Sequence, residues 1–80
     1  MTDREILGEI TRLTDEEHTL ENAHHEGGLS ASEVERLEQI RVALDQCWDL
    51  LRQRRARRGA GLDPDEAHLR SPDVVEGYEQ

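Results

Sequence analysis

Two adjacent glycines, Gly27 and Gly28, separate two long proline-free stretches whose apolar residues recur at intervals of three and four. Such a pair is costly inside a helix, and one of the two can take the left-handed conformation that closes a helix C-terminus. The chain must therefore break between two helices. Before the break, Ile6, Ile10, Leu13 and Leu20 form a stripe that Glu17 and His24 fill with polar groups, which predicts a helix over about residues 3–26. Thr2 or Asp3 is placed to cap it, and acidic residues crowd its first turns, where the helix dipole favours them. After a turn over residues 27–30, Ser30-Ala31-Ser32-Glu33 reads as a capping box, with Leu29 and Val34 spaced as a hydrophobic staple. The stripe Val34, Leu37, Ile40, Leu44, Cys47, Leu51 then predicts a second helix over about residues 31–58.

Helices about 36 and 42 Å long at 1.5 Å per residue, joined by so short a turn, must lie antiparallel. The expected fold is all-α: a coiled-coil-like two-helix hairpin over residues 1–58 with an irregular tail. Centring the turn on Gly28 and Leu29 pairs residues whose numbers sum to about 57 or 58. Leu20 then faces Leu37, Leu13 faces Leu44, Ile10 faces Cys47 and Ile6 faces Leu51. The same register sets the interrupting Glu17 level with Arg41.

Residues 59–80 differ in kind, being acidic and punctuated by Gly59, Gly61, Pro64, Pro72 and Gly77. Asp63-Pro64 and Ser71-Pro72 each offer a cap followed by proline at the first helical position, so each can start a short helical turn. Helices that short need something to dock against.

With no Phe, one Trp and one Tyr, the chain has too little bulky apolar material to enclose a substrate pocket, which argues against an enzyme. Its charged beginning lacks the pattern of a secretory leader, and no apolar run reaches the length of a membrane span. A soluble, cytoplasmic protein without membrane contact is expected, and the lone Cys47 fits a reducing compartment. No cofactor is implied. The ligand types His18, His24, His25 and Cys47 are too far apart within one hairpin to share a metal ion, although two copies would bring His24 and His25 of both together. Among aliphatic neighbours Cys47 is an inert small hydrophobe, and no catalytic motif is present.

Two features remain to carry function. Arg52, Arg54, Arg55, Arg57 and Arg58 form a basic run in a chain of net charge −9. They suit contacts to an anion or an acidic protein partner, and alternatively a phosphate clamp on RNA or the ribosome. Against nucleic acid stand the overall negative charge, the lack of interleaved aromatics, and the nearness of Asp3 and Glu5 in the hairpin register. Trp48 is the second feature. It flanks the seam on one side, with Ala43 and Leu50 on the other, giving an apolar arc wider than one partner helix can cover. The excess calls for a second copy, the tail residues Val74, Val75 and Tyr78, or a foreign protein. A homodimer in the form of an antiparallel four-helix bundle is the expectation, with Leu44, Trp48 and Leu51 at the protein interface.

Residues 44–58, followed by Gly61, by Asp63-Pro64-Asp65-Glu66-Ala67 and by Val74-Val75-Glu76-Gly77-Tyr78, resemble a small actinobacterial family known as domain of unknown function 2630. The likeness spans the chain. It implies a bacterial helical protein and supplies no activity, cofactor or partner.

Overall fold

The computed structural model describes residues 1–23 and 26–76, and among these all regular structure is helical. Helix α1 spans Asp3–Glu21, α2 spans Ala31–Gly59, a single 3-10 turn covers Pro64–Glu66 and α3 covers Pro72–Glu76. The two long helices pack against each other as the periodicity requires, and a short irregular tail follows.

Both long helices begin with a reciprocal cap. The Thr2 hydroxyl accepts from the Glu5 N–H (3.2 Å) while the Glu5 carboxylate accepts from the Thr2 N–H (2.9 Å). Ser30 and Glu33 repeat the arrangement with the same distances. Because Thr2 does the capping, the Asp3 carboxylate is left for the far end of α2.

Helix α1 stops at Glu21, five residues short of the expected 26. Asn22 caps it with its N–H on the His18 carbonyl (3.0 Å). Beyond Leu20 the stripe offers no further apolar group to bury, and without packing a last helical turn frays. Gly27 and Gly28 both take left-handed backbone, φ +86° and +88°, a conformation that residues with a side chain rarely adopt.

Ion pairs fix the register. Asp3 meets Arg54 at 2.5 Å and Glu17 meets Arg41 at 3.7 Å, so level residues have numbers that sum to about 57 or 58. The seam buries Ile6, Ile10 and Leu13 of α1 against Ile40, Cys47 and Leu50 of α2, with Leu20, Leu44 and Leu51 packed around them. Two positions depart from expectation. Val34 continues the sequence stripe yet stays exposed, while Leu50, assigned to the outer flank, is in the core. Ala67 of the tail packs against the cluster that holds Leu50, which brings that side of α2 inside.

The tail reverses at Gly61, whose φ of +74° closes α2. The Gly61 N–H donates to the Arg58 carbonyl (3.1 Å) and the Leu62 N–H to the Arg57 carbonyl (2.8 Å), the paired bonds of a Schellman motif. From there the tail runs back along α2. Arg54 donates to the Pro64 carbonyl (3.1 Å), Gln53 to His68 (2.8 Å) and Gln46 to Arg70 (3.1 Å). Val75 of α3 is buried at the end of this run. Both proline-started turns therefore form against the α2 surface, as short helices require.

Candidate interaction face

Each of the five arginines at the C-terminal end of α2 has a definite place. Arg54 falls on the centre line of the seam, seven residues on from Cys47 and fourteen from Ile40, and is buried. Its Nε donates to Asp3 (2.5 Å) and its Nη1 to Asp65 (3.0 Å). Arg58 donates to the same Asp3 carboxylate (2.6 Å). Arg57 holds the start of the tail, donating to the Asp63 carbonyl (2.5 Å) and to Glu66 (2.7 Å). Arg54, Arg57 and Arg58 thus each have carboxylate or carbonyl partners within the chain. The physical reason is the register, which carries the acidic start of α1 to the basic end of α2. Arg52 and Arg55 are exposed, and among the described residues neither forms an ion pair.

Asp49 is the other buried charge, about 1 % exposed. Arg70 reaches it from the tail with two nitrogens, one at 2.9 Å, and Gln53 donates a third bond at 2.9 Å. The Arg70 bonds hold the Asp49 carboxyl below its ordinary pKa of 3.8, against the opposing effect of burial. This anchor was not anticipated. The signal for it is that Asp49 is the lone acid between residues 46 and 62, and Arg70 the lone arginine of the tail.

Acid should loosen the fold. Hydrogen bonds from Arg58 and then Arg54 lower the pKa of Asp3, and bonds from Arg12 and Arg36 lower Glu9 and Glu16. A carboxylate whose folded pKa is depressed takes up its proton first in the unfolded chain, so its contribution is present above the unfolded pKa and lost below it. With ordinary values of 3.8 for Asp and 4.5 for Glu, melting followed by circular dichroism is expected to hold constant down to about pH 5 and to fall steadily below it.

The tail lies on the side of α2 that carries Gln46, Asp49, Gln53 and Arg57. Trp48 is on another. Val34, Arg41, Trp48 and Arg55 recur at intervals of seven and make one line along α2, as Leu7, Thr14 and Glu21 do along α1. The Arg41–Glu21 contact at 3.8 Å puts the two lines on the same side of the hairpin. This face is left open: Trp48 is 44 % exposed, Val34 45 % and Leu7 48 %. Leu44 and Leu51 are half-buried in the seam, where the register sets them, while Trp48, named with them for the interface, is exposed. Trp48 is thus partly exposed, and Tyr78 lies outside the described residues.

Cys47 sits in the seam, where burial pushes its thiol above its ordinary pKa. Among the described residues no three His, Cys, Asp or Glu side chains are placed to hold a metal ion together, and no helix is long and apolar enough to cross a membrane. His24 and His25, invoked for an intersubunit metal, lie outside the described residues. A shallow groove on α2, lined by Glu35, Glu38, Gln39, Val42, Ala43 and Gln46, is open to solvent.

A family model described as protein of unknown function (DUF2630) matches residues 2–80. The chain is 53% identical over 78 residues to the uncharacterized protein Rv0898c of Mycobacterium tuberculosis, an alignment covering 96% of this chain and 90% of that relative. The uncharacterized protein Mb0922c of Mycobacterium bovis matches with the same identity and coverage. No solved structure matches the chain.

Proposed function

The chain belongs to the DUF2630 family, a family of unknown function, and from that premise we propose that it is a non-enzymatic, cytoplasmic interaction module that associates with itself through the open face around Trp48. One observation carries this reading. The largest apolar side chain in the sequence stands 44 % exposed on α2, away from the side along which the described part of the tail runs. An indole offers a large apolar area with one donor, the combination most often found at the centre of an interface. Burying it against a second copy removes that area from water, and a hairpin of this size has much to gain from a larger shared core. A further acidic protein partner would find Arg52 and Arg55 at the edge of the same face.

Binding of RNA or the ribosome is the second reading, and it rests on the same two guanidiniums. With Arg54, Arg57 and Arg58 held by carboxylates and carbonyls of the chain itself, a clamp of five is reduced to two. Affinity for phosphate falls with each contact removed.

Light scattering of the native chain and of Trp48→Ala tests the proposal. The native protein is expected at twice the chain mass in the micromolar range and the variant at a single chain mass with unchanged helix content. A native protein that stays single at every concentration, or a variant that associates as tightly, would overturn it. Retention on RNA at physiological salt that is lost in an Arg52→Glu, Arg55→Glu variant would put the second reading in its place.

A further inference from the structure

Charge is distributed unevenly along α2, and Trp48 stands at the boundary. Between Ala31 and Cys47 the acids Glu33, Glu35, Glu38 and Asp45 outnumber Arg36 and Arg41. From Trp48 onward five arginines face a single acid, Asp49. Asp49 is buried and held by Arg70. Two α2 helices laid parallel would set Arg52 beside Arg52 and Arg55 beside Arg55, and like charges in register repel. Laid antiparallel, each acidic half meets a basic half.

Resting on self-association through the Trp48 face, we infer that two copies pack their α2 helices antiparallel about a two-fold axis beside Trp48, with Asp45 of each chain paired to Arg52 of the other. A two-fold axis perpendicular to both helices brings each line of one helix onto the same line of its partner, run in the opposite direction. Asp45 and Arg52 are seven residues apart and so share one line, immediately beside the line of Trp48. Asp45 lies three residues before Trp48 and Arg52 four residues after it. Inverted about the indole, the two come level to within about one residue rise, or 1.5 Å along the axis. Among the described residues neither makes an ion pair inside its own chain.

The next level along α2 agrees. Arg55 of one copy comes level with Arg41 of the other, which is already shared by Glu17 (3.7 Å) and Glu21 (3.8 Å). Two carboxylates around one guanidinium leave that site net negative, so an incoming arginine is attracted. The same inversion sets the two indoles against each other, and together with α1 of each copy it generates a four-helix arrangement. Specificity in such a pairing lies in the charges that flank the apolar centre.

A charge exchange tests the register separately from association itself. The symmetric pair occurs twice in the dimer, so Asp45→Arg alone and Arg52→Asp alone each set two like-charge contacts and are expected to weaken the dimer about tenfold or more. Mixing the two single variants should restore it as a dimer of one chain of each, because every contact across the axis then joins an arginine to an aspartate. The double variant Asp45→Arg, Arg52→Asp should likewise dimerise to within about threefold of the native chain. Sedimentation at several concentrations reads all four, with circular dichroism confirming equal helix content. A native dimer that the single variants leave unchanged, or single variants that fail to combine, would overturn the antiparallel register while leaving self-association standing. A native chain that never dimerises removes both.

Discussion

Replacing Ile40 with alanine is expected to lower the melting temperature of the chain by roughly 15–25 °C. Ile40 has no exposed surface and belongs to the apolar cluster that fills the seam. Truncation removes three carbons and leaves a void that two helices joined by a rigid seam cannot close. Losses of this type run at about 3–4 kcal/mol, and a small domain holds only about 5–15 kcal/mol in total. Val34 provides the control. It belongs to the same sequence stripe but is 45 % exposed, so Val34→Ala is expected to cost less than about 1 kcal/mol. Thermal melts at one fixed protein concentration separate the two, and equal losses would mean that the seam is not where the structure places it.

Arg70→Ala is expected to free the tail from α2 and to cost about 3 kcal/mol, near the lower end for breaking a buried ion pair. The Asp49 carboxylate is buried with two bonds from Arg70 and one from Gln53. Removing the guanidinium leaves a charge in the interior with one neutral donor, and the carboxyl pKa rises accordingly. The tail contacts along α2 are otherwise side chains on carbonyls, each of modest net worth. Hydrogen exchange is therefore expected to rise across Asp63–Glu76 with little change in Ile6–Leu13. Arg70→Lys keeps the charge but not the forked geometry, and should fall between native and alanine. Protection of the tail that is unaffected by either substitution would show that Val75 and Ala67 hold it without the ion pair.

The hairpin was legible because each of its determinants is local. The cap at Thr2 or Asp3, the capping box at Ser30, the diglycine, and apolar spacing of three and four all lie within a few residues of the structure they specify. The level pairing of Glu17 with Arg41 followed from arithmetic on the turn and is met at 3.7 Å. The proline-started turns at Pro64 and Pro72 were equally readable. What escaped was set at long range. Nothing periodic announces that Asp49 is buried, since its partner is twenty-one residues away and reaches it only once the tail has turned at Gly61. The same fold-back draws Leu50 inside. Arg54 reads as one of five equivalent arginines, yet it alone continues the Ile40–Cys47 line into the seam, where Asp3 meets it. A charge run looks uniform in sequence and is divided by helical phase in space.

That division gives the open face its character. Three arginines pair within the chain, and the two that remain lie beside an indole that folding leaves 44 % exposed. Trp48 is the sole tryptophan of the chain, so its fluorescence reports this face without background. The most direct measurement is its emission maximum over a concentration series from nanomolar to hundreds of micromolar, set beside the mass from light scattering. Burial by a second copy predicts a blue shift whose midpoint coincides with the doubling of mass. An emission maximum that never moves while the mass stays at one chain would contradict it.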